Sequence, residues 1–235
     1  MATDDATWHR DRAGGRQALP MEVASRVREL IFSGELRPGA FLRVERIAEA
    51  VGVSSTPARE GLLILRSEGL VQLVPHRGFT VSAFSRQDVR DLFWVQAQLS
   101  AQLAHRAARR ITPERIARLD TVLVDYQTAV DARAEQRIAD LGHVFHREIN
   151  LAADAGRLAL LLRSAVRHLP NRFYAAIEGQ VAATRTEHPE LLDALRRHDS
   201  RHAGELMRHH ILTGADRLIE VLEDRGLWLA QGDSS

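Results

Sequence analysis

The chain has no cysteine. Disulfides, thiolate metal centres and cysteine nucleophiles are therefore excluded, and any bound metal must be held by His, Asp or Glu. Lysine is missing too: all 32 basic residues are arginine, a bias that reflects coding composition more than selection for guanidinium chemistry. Long apolar runs are also lacking, since stretches such as Leu158 to Leu162 fall far short of the roughly 20 residues that cross a bilayer. With a polar, acid-bearing N-terminus, the chain is expected to be cytoplasmic, with no membrane partner. Nor is there an excess of one charge, because 32 basic against 31 acidic residues leave a net of +1. Between residues 20 and 85, Arg26, Arg28, Arg37, Arg43, Arg46, Arg59, Arg66 and Arg77 are nearly balanced by glutamates. Any basic footprint must come from local clustering.

What is present divides in two. At 235 residues the chain exceeds the usual single domain, and its texture changes after Phe84. Residues 1 to 18 carry no periodicity and are expected to be a disordered tail. Residues 19 to 84 mix helical and strand periods. Val23, Val27, Leu30 and Ile31 form one helix face ending at Ser33-Gly34, and Ile47, Ala48 and Val51 form a shorter one ending at Gly52. A third helix follows, capped by Ser54 or Ser55, with Pro57 tolerated in its first turn, Ala58, Leu62 and Leu65 facing inward, and Gly69 closing it. Leu70 to Val74 and Gly78 to Val81 then read as a two-stranded hairpin around Pro75-His76-Arg77-Gly78. From 85 to 230 strand signals vanish, and about six helices are expected. Their breaks fall near residues 111–113, 132–134, 155–156, 168–170, 184–189 and 198–200. The expected fold class is an N-terminal winged helix-turn-helix (α+β) followed by an all-α helical bundle.

On that plan the third helix enters the major groove N-terminus first. Ser54, Ser55, Thr56 and Arg59 stand at its leading end, where hydroxyls suit phosphates and an arginine reaches a guanine edge bidentately. A surface ion pair with Glu60 or Glu45 is the plainer reading of Arg59 taken alone.

The segments Ser33-Gly34-Glu35-Leu36-Arg37-Pro38-Gly39, Ile47-Ala48-Glu49-Ala50-Val51-Gly52-Val53-Ser54-Ser55-Thr56-Pro57-Ala58-Arg59-Glu60, Glu68-Gly69-Leu70-Val71 and Arg77-Gly78 closely resemble the GntR family of transcription regulators. That resemblance implies DNA contacts by Arg59 and by the wing-tip residues His76, Arg77 and Gly78. Two positions depart from the family pattern: Ser55 stands where an arginine is usual, and Glu45 occupies the common helix-two arginine position, with Arg46 beside it as the remaining basic candidate.

The helical remainder resembles the FadR-type branch of that family, with its FCD-like effector domain, on Phe145-His146, Glu187-His188 and His209-His210. The resemblance implies a divalent metal, Zn or Ni being the best suited, held by His146, His188 and His210, with a carboxylate effector against it. The residues read alone leave this open, because most of 11 histidines in such a chain are solvated or satisfied in the core. His210 shares an inward stripe with Ala203, Met207 and Gly214, His146 neighbours Phe145 and Ile149, and His188, preceding Pro189, is expected at a helix start. The branch's metal-binding Asp position is Gly142, so His143 is the candidate for an extra ligand. Its Arg and Glu on the first sensor helix read Gln96 and Ser100, which line the expected effector pocket without a carboxylate clamp.

The expectation is thus a non-enzymatic, homodimeric repressor of a pseudo-palindromic operator, released by a small-molecule effector, expected to be an organic acid, bound beside a metal. A metal-sensing repressor and a His-ligated metal enzyme are the competing readings.

Overall fold

The computed structural model describes residues 10–75, 77–169, 181–224 and 227–228. These contain two compact units. The first comprises the chain up to Ser85 together with the segment after Asp224, and the second spans Arg86–Asp224.

In the first unit, α1 (Arg10–Phe32) buries Val23, Val27, Ile31 and Phe32. It begins well before Pro20, so residues 10–18, expected in the tail, are helical. The run Arg16-Gln17-Ala18-Leu19 has good helix propensity, and Pro20 removes one backbone donor without ending the helix. β1 (Phe41–Leu42) leads into α2 (Val44–Val51), which buries Ile47 and Ala48 and ends at Gly52 with φ +77°. α3 (Ser55–Ser67) buries Ala58, Gly61, Leu62 and Leu65. Its N-cap is Ser54, whose backbone is extended but whose side chain makes no capping hydrogen bond. At its other end Gly69, φ +77°, donates its N–H to the Arg66 carbonyl, while Leu70 N–H reaches Leu65, the left-handed closure that glycine permits.

β2 (Val71–Val74) and β3 (Gly78–Val81) form the antiparallel wing, Leu73 opposite Phe79 and Val74 opposite Gly78. The sheet has three strands rather than two, in the order β1-β3-β2. A strand of two residues carries no alternation, and β1 exists only because β3 offers its free edge. A buried ion pair ties α1 to the end of α3: Arg28 Nη2 lies 2.6 Å from Glu68 Oε2, with both side chains largely shielded. Trp228 also belongs to this unit, donating its indole N–H to the Phe84 carbonyl, although the helical domain was expected to extend to residue 230.

The second unit is all helix among its described residues: α4 (Arg86–Ala108), α5 (Pro113–Asp131), α6 (Glu135–Ala152), α7 (Gly156–Val166), α8 (Val181–Arg196) and α9 (Ser200–Asp224). Leu103, Leu119, Phe145, Ile149, Leu191, Leu195 and Met207 form its shared core. The break expected at 184–189 does not occur. Pro189 lies inside α8, and burial of Leu191, Leu192 and Leu195 on that helix outweighs the lost backbone bond. α4 and α9 run antiparallel in close contact, because Gly204 leaves room for the Ala101 carbonyl, 3.2 Å from where a Cβ would sit.

Gly61 plays the same part between α1 and α3. A Cβ there would lie 2.7 Å from Val23 and 2.9 Å from the Pro20 carbonyl. Gly61→Ala is therefore expected to destabilise the first unit by about 1 to 3 kcal/mol through overpacking. Gly52→Ala, which meets open space but a left-handed backbone, should lose about 1 kcal/mol. Calorimetric unfolding checks both, and a Gly61→Ala protein melting at the wild-type temperature would mean that the two helices are free to separate.

Candidate functional site

Two clusters stand out, one in each unit. In the first, Arg59, one turn into α3, faces a cleft of about 660 Å³ lined also by Phe41, Arg43, Val44, Glu45, Arg77 and Gly78. The cleft is built by the β1–α2 junction, the α3 start and the wing, so residues separated by up to 37 positions in sequence share one wall. Arg43, Arg59 and Arg77 are exposed, a local basic cluster in a chain with almost no net charge. Ser54, Ser55 and Thr56 are exposed at the leading end of α3, and Arg46 is exposed on α2 but is not among the cleft residues. His76 lies outside the described residues. Arg43 and Phe41 escaped the sequence reading; their signal was proximity to β1, which has no pattern of its own.

In the second unit, His146 on α6, His188 on α8 and His210 on α9 converge, each offering a ring nitrogen within 4.8 Å of the others. His188 and His210 are buried and His146 is half-buried. The rings are held by their neighbours. His188 stacks on Phe145 at 4.3 Å and meets Tyr126 edge-on at 6.0 Å; it lies in the middle of α8 rather than at the expected helix start, because that helix runs unbroken from Val181 through Pro189. The His146 and His210 rings are stacked at 5.0 Å, with their Nε2 atoms 3.2 Å apart.

Behind His210 lies a polar relay. Its Nδ1 is 2.6 Å from Glu187 Oε2, and the other oxygen of Glu187 accepts from Arg217 Nη2 at 3.1 Å. The hydrogen bond from His210 above all, with the charges of a protonated His210 and of Arg217 adding to it, holds the Glu187 carboxyl below its ordinary range, with burial opposing them. With Nδ1–H donating to the Glu187 carboxylate, the neutral imidazole of His210 keeps its lone pair on Nε2, which faces His146. An imidazole oriented in this way is ready to act as a ligand.

His143 does not join the cluster and is exposed. At about 100° per residue it lies roughly 160° from the buried Phe145 on α6, on the far side of the helix, whereas His146 is at the rim. Gly142, at the expected carboxylate position, is buried and supplies no donor. Gln96 and Ser100 are both buried on α4. The contacts that set the α4–α9 register, Ala101 against Gly204 and His105 Nδ1 to the Ser200 carbonyl, put Gln96 level with His210. Arg217 and the role of Glu187 went unread in the sequence. A signal existed, since Arg217 follows His210 by two helical turns and so shares its face.

Comparison with known proteins agrees with this division. Residues 19–81 match the family described as "Bacterial regulatory proteins, gntR family", and residues 91–213 match the FCD domain. The chain is 28% identical over 132 residues to the HTH-type transcriptional regulator McbR of Escherichia coli K12, an alignment covering 56% of this chain and 60% of that one. It is 28% identical over 192 residues to an HTH-type transcriptional regulator of Streptomyces ambofaciens, covering 81% and 80%. The solved structure of E. coli McbR/YncC superposes with a TM-score of 0.59 at 26% identity, covering 88% of this chain and 98% of that one. With the FCD match spanning more than half of its length behind a gntR-type helix-turn-helix, the chain belongs to the GntR family of DNA-binding transcription regulators, in the FadR-type branch that carries an FCD effector domain.

Proposed function

We propose that this regulator is a repressor released from its operator by a small-molecule effector, which binds beside a divalent metal held by His146, His188 and His210. The observation that carries this reading is the convergence of three imidazoles from three helices, with His210 already oriented by Glu187. One pair has the spacing of ligands on a shared ion: two nitrogens bound tetrahedrally to one zinc stand about 3.3 Å apart, close to the 3.2 Å between the Nε2 atoms of His146 and His210, with the His188 nitrogen within 4.8 Å of both. Nitrogen donors without thiolates favour Zn or Ni. Such an ion would supply a charged anchor for an anionic ligand, with three protein nitrogens leaving coordination positions open.

DNA recognition is assigned to Arg59 for base edges, to Arg77 and Gly78 at the wing together with His76, and to Ser54, Ser55, Thr56 and Arg46 for the backbone. Arg43 joins them as a cleft residue. A homodimer is supported by α4 and α7, helices in mutual contact that carry exposed Trp94, Val95, Leu160 and Leu161, an apolar surface of the kind that partners cover. Two-fold symmetry then calls for a pseudo-palindromic operator. No helix among the described residues is long and apolar enough to cross a membrane.

Arg59→Ala is expected to weaken operator binding by about 1 to 3 kcal/mol and to relax base preference, as loss of a bidentate guanine contact does. Arg77→Ala should weaken all sequences alike and reduce the slope of affinity against salt. Band-shift titrations on operator and random DNA separate the two. Equal losses on both DNAs for Arg59→Ala would demote it to a phosphate contact, and an unchanged salt slope for Arg77→Ala would remove the wing from the interface.

Elemental analysis tests the metal. The purified protein is expected to carry about one divalent ion per chain, lost in His188→Ala or His210→Ala with helical content largely kept. His209→Ala should retain it, because His209 is exposed and points about 100° away from His210. Protein that takes up no ion at neutral pH, or His209→Ala losing metal as readily as His210→Ala, refutes the site.

A further inference from the structure

Glu45 is the one acid among the described residues that line the cleft of the winged-helix unit, which it shares with Arg43, Arg59 and Arg77. All four side chains are exposed. Glu45 forms no ion pair or hydrogen bond among the described residues, so its charge is not taken up by the arginines around it. It stands in the first turn of α2, where the helix dipole favours an acid. That accounts for a carboxylate at this place in the chain and still leaves both of its oxygens without a donor. Against DNA such a residue is a liability, because it repels phosphates wherever the cleft lands. In the major groove guanine offers only acceptors, at O6 and N7, and thymine offers O4. Adenine sets an N7 acceptor beside its N6 amine, whereas cytosine presents its N4 amine with no acceptor next to it.

We propose that Glu45 is a specificity-determining residue of the DNA cleft, accepting a hydrogen bond from the N4 amine of a cytosine in each half-site while Arg59 donates to guanine. This rests on the assignment of the cleft to DNA recognition, and it deepens that assignment by giving α2 a base to read. Phosphate repulsion weakens binding to every sequence, and the amine offsets it only where cytosine stands. The acid therefore contributes discrimination rather than affinity.

The test selects bound duplexes from a library with roughly 20 randomised base pairs, enough for two half-sites one helical turn apart. Full-length wild type, Glu45→Ala, Glu45→Gln and Arg59→Ala are compared by sequencing the bound fraction. Wild type is expected to select cytosine at one position of each half-site. Glu45→Ala should accept any base there, and Glu45→Gln should move the preference to adenine, whose N6 and N7 a carboxamide meets bidentately. In the selected site, exchanging that cytosine for a pyrimidinone that lacks the amine should weaken wild type about tenfold more than it weakens Glu45→Ala. The poorer base pairing is common to both proteins and cancels in this comparison. Glu45→Ala should also bind random DNA more tightly than wild type does. The proposal is overturned if wild type shows no cytosine preference that Glu45→Ala loses, or if the amine-free base weakens both proteins equally. It is equally overturned if Glu45→Ala tightens selected and random DNA by the same factor, because Glu45 would then only repel phosphates. Arg59→Ala separates this from the assignment of the cleft. A lost guanine in Arg59→Ala with the cytosine kept in Glu45→Ala leaves the cleft on DNA and removes Glu45 from the reading. Motifs unchanged in both variants remove the cleft itself, and a motif changed only by the Glu45 variants leaves this proposal standing while Arg59 loses its base.

Discussion

The close antiparallel packing of α9 along α4 is the constraint on which the helical unit depends. Gly204 admits the Ala101 carbonyl so closely that a Cβ there, 3.2 Å from it, would push the two helices a few tenths of an ångström apart. The pair is further held by Arg86 with Glu223 near one end and His105 with Ser200 near the other. Once that register is set, everything on the two helices has a fixed level: Gln96 at about the height of His210, and Arg217 two turns farther along α9. α6 and α8 then need only deliver His146 and His188 to the same depth, which they do through the core they share at Phe145, Ile149, Leu191 and Leu195. Burial makes the cluster demanding. Imidazoles removed from water must be oriented by partners, and the Glu187 carboxylate does this for His210 while Phe145 and Tyr126 hold His188.

The winged-helix unit solves a different problem, presenting positive charge from a chain that has almost none to spare. It does so by geometry. β1, α3 and the wing bring Arg43, Arg59 and Arg77 to one cleft, while Arg28 is withdrawn from the surface into a buried pair with Glu68. That pair braces α1 against the end of α3, and Gly61 lets the two helices approach within backbone distance. Orientation of the α3 leading end therefore follows from packing behind it. Glu45 stays in the cleft among the arginines, so the basic surface is interrupted, and an acid accepting from cytosine N4 is the one base contact that such a side chain favours.

Most helix ends were legible because each coincides with a local chemical signal. Thr112-Pro113 opens α5, Gly52 closes α2, and Gly69 closes α3. Reading failed where a local signal was outvoted by distant contacts. Pro20 and Pro189 both look like helix boundaries, yet α1 and α8 continue through them; around Pro189 the burial of His188, Leu191 and Leu192 holds the helix, and after Pro20 that of Val23 and Ala24 does. The two-residue strand β1 failed for the opposite reason, since its only cause is the edge of β3.

The candidate site divides in the same way. Sequence by itself determined the winged-helix plan, the helical second domain and the place of Arg59 near the start of α3, because apolar periodicity, caps and turn signals are properties of neighbouring residues, while His146, His188 and His210 became candidates only through the family resemblance. Tertiary structure alone decided which polar groups meet. It put His143 on the far side of α6 and Arg43 in the basic cleft, and it joined Glu187 to both His210 and Arg217. The physical reason is that hydrogen bonds and ligand sets depend on distances of a few ångströms between different elements, and those distances are set by how helices pack, through small residues such as Gly61 and Gly204, rather than by any local preference of the chain.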